Sequence, residues 1–227
     1  GLLVEYERGW KVTEAMPVNS VGIVTARDSL SIHFDRETLW QTATDFAALP
    51  EAEAREKYKL GKDTRDWKVA LAQQDLLRTG PDLAHVQPVL YRPFDLRYSY
   101  YTGTTKGFHC MPRGELMRHM QAANLALSTT RSTEIGGDFQ HIFIASTMTT
   151  HHTTSLKEVN YHIPLWLYPS DQPADLIEAT QTERRPNLSD EFVAALKVAQ
   201  GQPVSPEDTL AYLYAVLYTP GYRTRYA

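Results

Sequence analysis

A single cysteine, Cys110, leaves no partner for an internal disulfide, and without a Cys-x-x-Cys pair there is no thiolate framework for a structural zinc. Long apolar runs are missing too: no stretch approaches the roughly 20 residues that a membrane-crossing helix needs. The first residues lack the basic, apolar and small-residue succession of a secretory leader, so a cytoplasmic protein without membrane contact is the expectation. The chain begins at Gly1-Leu2-Leu3 and stops at Tyr222-Arg223-Thr224-Arg225-Tyr226-Ala227 without a polar tail, which reads as a piece of something longer.

Catalytic signatures are equally scarce. There is no Gly-x-Gly-x-x-Gly, and Gly103-Thr104-Thr105-Lys106-Gly107 lacks the Gly-Lys-Ser/Thr ending that sets a lysine and a hydroxyl on phosphates. The Asn-Pro-Pro-Tyr type of loop with which an amino-methyltransferase holds an extruded base is absent; the one Pro-Asn, Pro186-Asn187, runs into Leu188. Asp66-Trp67-Lys68 supplies the second half of a metal-nuclease motif, but the one Pro-Asp, Pro81-Asp82, follows it instead of preceding it. His151-His152, with His141 and His162, offers imidazoles for a metal. On a strand, however, adjacent side chains point to opposite faces and no carboxylate completes the set, so polar contact to a phosphate or base is the preferred reading. No catalytic and no metal-ligating residue is assigned.

What is present is the composition of a folded protein: 42% apolar, 22% charged and 11% aromatic residues in a chain long enough for one large domain or two small ones. Leu2 to Tyr6 and Val21 to Thr25 read as strands. Asp35 caps a helix carrying Leu39, Ala43 and Phe46, Pro50 starts another, and a third, capped by Asp63, runs through Trp67, Ala70, Leu71 and Leu77 to Gly80-Pro81. Beyond Pro88 the texture is strand and loop, with strands at Val89 to Tyr91, Arg97 to Tyr101, Leu125 to Ser128, His141 to Ala145 and Tyr161 to Tyr168, and one helix at Pro112 to Met120. Ser189 and Ser205-Pro206 start two closing helices; the last, Leu210 to Tyr218, is apolar on most faces and is expected to be buried. The expected class is α+β: a mixed sheet with an N-terminal helical segment and C-terminal packing helices. Residues 1–80 form the strand-and-helix lobe, 81–170 the sheet-rich core, and 171–227 a linker and helices packed on it.

The formal net charge of −4 hides a basic island. Residues 92–131 carry Arg92, Arg97, Lys106, Arg113, Arg118 and Arg131 against Asp95 and Glu115, whereas both flanks are acidic. Arginine dominates it, and a guanidinium fork suits phosphate oxygens and guanine edges better than an ammonium does.

Specific strings carry the argument further. Tyr91-Arg92-Pro93-Phe94-Asp95-Leu96-Arg97-Tyr98-Ser99-Tyr100-Tyr101, then Pro112-Arg113-Gly114-Glu115-Leu116-Met117-Arg118-His119-Met120, resembles the C-terminal specificity region of single-polypeptide (type ISP) restriction-modification enzymes. Ser20-Val21-Gly22-Ile23-Val24-Thr25-Ala26-Arg27-Asp28, Pro164-Leu165-Trp166-Leu167-Tyr168-Pro169, Arg185-Pro186-Asn187-Leu188-Ser189 and the run from Tyr212 to Ala227 agree with it in order. The resemblance implies a parent enzyme with a nuclease, a helicase-like ATPase and an adenine-N6 methyltransferase, which would use S-adenosylmethionine, ATP and Mg, followed by this DNA target recognition region. It implies no cofactor in the region itself, with double-stranded DNA and the parent's methyltransferase domain as partners.

A recognition module needs phosphate clamps and groove readers. Lys106, with Thr104 and Thr105, suits a phosphate; Arg113 and Arg118 flank a short helix, and one of them is expected to be structural. Arg92 and Arg97 are expected to brace Asp95. Arg131, beside Ser132, Thr133, Gly136 and Gly137, is the first choice for base contact, and Thr149, Thr150, His151, His152 and Thr153 form the second loop candidate. Two other readings stay open: a coupling module between the parent's domains, and a metal-dependent hydrolase using the histidine loop.

Overall fold

The computed structural model describes residues 1–132, 139–169 and 183–226. Ten α-helices occur among them: α1 (Leu2–Glu7), α2 (Val12–Ala15), α3 (Asp28–Ser31), α4 (Arg36–Ala48), α5 (Glu51–Lys57), α6 (Val69–Thr79), α7 (Gly114–Met117), α8 (Asp190–Gln200), α9 (Pro206–Tyr218) and α10 (Pro220–Tyr226). The strands are β1 (Ser20–Val21), β2 (Val86–Arg92), β3 (Asp95–Tyr100), β4 (Ala126–Thr129), β5 (Ile142–Ala145), β6 (Met148–Thr149), β7 (Tyr161–Pro164), β8 (Trp166–Leu167) and β9 (Arg185–Pro186). They form a four-stranded sheet in the order β1-β7-β4-β5, a three-stranded sheet β3-β2-β6 and a two-stranded ribbon β8-β9. All pairings are antiparallel except β2 with β6. The chain is α+β.

Local chemistry sets most element ends. Asp35 accepts from the Thr38 amide at 2.7 Å to start α4, and Gly80, at φ 73, closes α6 in the left-handed region that glycine tolerates best. Ser189 and Ser205 cap α8 and α9, and Pro206 occupies the first turn of α9. Asp63 accepts from the Val69 amide at 3.2 Å, so it holds the start of α6 from six residues upstream, and Trp67 lies before that helix.

Three apolar clusters hold the layers together. Leu39, Phe46 and Leu76 from the helices and Trp67 from the segment before α6 meet Tyr100 and Phe108 from the sheet-rich part. Ile23, Val89, Tyr101, Met117, Ala126 and Met148 form a second cluster joining the two larger sheets. Leu127, Ile142 and Ile163 present the other face of the four-stranded sheet to Phe192 and Leu210 of the C-terminal helices.

Four expectations are corrected. Leu2 to Tyr6 is helix, not strand; α1 docks on α10 through Glu5 with Arg225 at 2.7 Å and Tyr6 with Tyr226. A short apolar run fits either state, and a tertiary partner decides between them. Tyr161 to Tyr168 is broken at Leu165, because after Pro164 the chain leaves β4 and pairs with β9. The Asn124 amide takes over there, bonding both the Trp166 amide and its carbonyl. Pro112 to Met120 contains only the four residues of α7 followed by a 3-10 turn. Finally, α9 packs one face only: Leu210 is buried, whereas Tyr212 is 54% exposed. The polar connection Pro169 to Pro186 lies largely outside the described residues.

Candidate nucleic-acid interface

The loop bearing Thr104, Thr105 and Lys106 is shaped from beneath by Asp75 of α6. Its buried carboxylate accepts from the Thr102 hydroxyl at 2.6 Å and the Phe108 amide at 2.9 Å, tying the two ends of the loop together. A Cβ on Gly107 would lie 2.3 Å from that carboxylate, so the chain closes over it only with glycine. Arg78 donates to both Asp75 and Thr104, and Lys106 stands exposed at the tip, its Nζ 3.6 Å from Asp66.

Arg113 precedes α7 with a left-handed backbone, φ 57. Its Nη2 donates to the Met111 sulfur at 3.4 Å, its Nε is buried without an acceptor, and it makes no ion pair among the described residues. It lines a groove of about 540 Å³ with Asn19, Ser20, Thr105, Met111 and Leu116. Asn19 also accepts from Arg131 at 2.8 Å. Arg131 is exposed at the end of β4, with its guanidinium carbon 3.8 Å from the ring centroid of Tyr161. One surface therefore runs from Tyr161 and Arg131 through Asn19 to Arg113, Thr105 and the Lys106 loop.

The half-buried His151 and His152 sit in a turn, not on a strand, and their rings meet edge to face at 4.4 Å, contrary to the opposite-faces expectation. The turn is held where Gly22 passes so close to Thr150 that a Cβ would lie 2.2 Å from its carbonyl oxygen. Burial, the neighbouring His152 and the Arg113 charge all lower the pKa of His151, leaving a neutral ring that offers one donor and one acceptor instead of a cation.

The pattern of the Type ISP C-terminal specificity domain matches residues 14–227. The chain belongs to that family. Solved structures share the fold of this specificity domain. The cryoEM structure of a DrdV–DNA complex is 22% identical with a TM-score of 0.65, covering 96% of this chain and 21% of that one. The ATP-dependent Type ISP restriction-modification enzyme LlaBIII bound to DNA is 18% identical with a TM-score of 0.63, covering 97% and 14%. A nuclease-deletion mutant of the Type ISP restriction-modification enzyme LlaGI, with a DNA substrate mimic, is 19% identical with a TM-score of 0.59, covering 96% and 19%. The specificity domain thus spans about a fifth or less of the chains it resembles. No curated protein matches it by sequence.

Several sequence-chosen residues of the specificity domain have scaffold duties. Arg118 donates to the Tyr168 carbonyl at 2.7 Å, so it is the structural member of the Arg113/Arg118 pair. Thr149 and Thr150 are a correction: both are buried, Thr149 accepting from Asn160 at 3.1 Å and Thr150 donating to the Tyr91 carbonyl at 3.2 Å. Their hydroxyls are spent on these internal partners. Thr153 is buried as well, bonded to the Leu90 carbonyl at 2.8 Å. Arg97 grips Asp95 through two nitrogens, as expected, while Arg92 lies over Tyr91. Thr133, Gly136 and Gly137 lie outside the described residues.

Sequence reasoning missed Asn19, Tyr161 and Arg78. Asn19 stands 112 positions from the arginine it holds, so nothing local marks it. Among the described residues no group of His, Cys, Asp and Glu is placed to hold a metal, and no helix is long and apolar enough to cross a membrane.

Proposed function

We propose that this specificity domain selects the DNA sequence on which a restriction-modification enzyme acts, and that it performs no chemistry itself. The observation carrying this reading is that Arg113 and Arg131, neither in an ion pair among the described residues, stand on one surface on either side of Asn19. Flattened on Tyr161 and steadied by the bond from Nη2 to Asn19, Arg131 presents its remaining guanidinium N–H groups in one plane, as a bidentate partner such as guanine O6 and N7 requires. Lys106, Thr104 and Thr105 supply the phosphate contact, and neutral His151 with His152 the second reader. All three structural neighbours hold DNA or a DNA substrate mimic, which supports the same reading.

In this reading the parent chain methylates adenine N6 and cleaves DNA, with S-adenosylmethionine, ATP and Mg bound in its other domains. The methyltransferase domain is the intramolecular partner of this one. A recognition domain beside a methyltransferase holds the duplex while one base turns out into the catalytic pocket.

The test is a salt titration of duplex binding by the parent enzyme. With Arg92 donating to the Tyr91 carbonyl and Arg97 and Arg118 also engaged by the scaffold, Lys106, Arg113 and Arg131 are the island cations left for DNA. Removing all three is expected to make the log-log salt slope shallower by roughly 3. A triple variant with an unchanged slope rejects the assignment.

A further inference from the structure

Phe94 is 96% exposed, the highest value among the exposed large apolar side chains of the described residues. It stands at the tip of the β2–β3 hairpin, where Arg92 pairs with Asp95 across Pro93-Phe94. Proline second and a positive φ third is the pattern of a type II turn, whose third position suits glycine. Phe94 nevertheless occupies it at φ 63. Backbone sterics and water both disfavour a phenyl ring there.

The base of this tip is rigid. Arg97 binds both oxygens of Asp95, and its guanidinium lies 4.1 Å from the ring centroids of both Phe34 and Tyr91. Arg92 lies 4.0 Å over Tyr91, and Tyr91 donates to Asp28 at 2.8 Å. At the rim, the Phe94 ring meets Phe143 of β5 edge to face at 6.4 Å. An apolar ring is thereby held proud of a braced turn that carries Arg92 and Arg97, with Asp95 bound to Arg97 and Asp28 bound to Tyr91 at its base. That combination fits a base stack bordered by phosphates better than an apolar protein groove.

We infer that Phe94 is an intercalating wedge, whose ring enters the base stack of the bound duplex and holds open the step beside the base presented for methylation. The inference rests on the DNA-recognition reading of the domain. Extruding a base leaves a gap in the stack, and a rigid aromatic projecting from a hairpin tip fills such a gap without reorganising the protein. The wedge makes no hydrogen bond to a base, so it contributes to distortion and not to sequence choice.

The test uses the full-length enzyme carrying this domain and duplexes containing its methylation motif, with 2-aminopurine placed at successive positions. The wild-type enzyme is expected to raise fluorescence several-fold at one step. Phe94→Gly and Phe94→Ala lose that rise while still binding the duplex, and Phe94→Trp keeps it. Phe94→Gly is expected to melt at or above the wild-type temperature, because glycine relieves the turn, so loss of signal is not loss of fold. A Phe94→Gly enzyme with the full signal overturns the wedge and leaves recognition standing, as does a wild-type enzyme that binds without any rise. A fall in its melting temperature shows the ring packed on protein and overturns the wedge too. A wild-type enzyme that binds no duplex overturns the recognition reading, and the wedge with it.

Discussion

The Arg131 guanidinium, two residues beyond the end of β4, lies 3.8 Å from the ring centroid of Tyr161 on the strand that pairs with β4. Arg131 also donates to Asn19, so its orientation is set by two parts of the chain remote in sequence. Such fixing lowers the entropy lost when a long side chain meets a base. Arg131→Ala is expected to relax sequence preference at one position of the methylation motif, by about 1–3 kcal/mol for a bidentate contact. Tyr161→Leu, which keeps the charge but removes the stacking face, is expected to give a smaller change at the same position. Methylation mapping with the two variants reads both effects.

Lys106 should behave differently. With its exposed ammonium proposed as a phosphate contact, Lys106→Ala is expected to weaken binding to specific and unrelated duplexes alike and to reduce the salt slope by about 1. Asp75→Ala removes the carboxylate that ties Thr102 to Phe108, and should lower duplex affinity by releasing the loop even though Asp75 is buried. Competition titrations with specific and random duplexes separate these effects from a change in target choice.

The buried threonines provide a contrast. Thr149→Val leaves the buried Asn160 amide without its acceptor and is expected to cost about 1–3 kcal/mol of stability. The methylation motif should be unchanged. Urea denaturation and methylation mapping check the two halves of this prediction; a changed motif would restore Thr149 as a reader.

How far the sequence carried the fold depended on whether the deciding interaction was local. Asp35, Gly80 and the Ser205-Pro206 pair act within a few residues of the helix ends they define, so α4, α6 and α9 were legible. Leu2 to Tyr6 took its state from α10 at the other end of the chain, which no periodicity within five residues encodes. The site divided in the same way. Arg97 with Asp95 was legible because they are two residues apart. Thr149 and Thr150 were not, since a hydroxyl-rich run reads alike whether it faces solvent or bonds buried carbonyls and amides.

Two buried histidines are expected to make the domain acid-sensitive. Burial holds His109 at about 4 and His162 at about 3, against an ordinary value of 6.5. The unfolded chain therefore binds more protons between these values, and stability falls as pH drops from 6.5 towards 4. The slope is at most about 1.4 kcal/mol per pH unit for each histidine. Above pH 7 this contribution is constant. Urea midpoints between pH 7.5 and 4.5 measure it, and His162→Gln is expected to flatten the dependence.

The central claim is that residues 14–227 decide where the parent enzyme acts. Exchanging them for the corresponding domain of a relative with a different methylation motif, then mapping genomic methylation, tests it most directly. The account predicts that the motif follows the transplanted domain. An active chimera that still methylates the recipient's original motif would contradict it and would point to a coupling role instead.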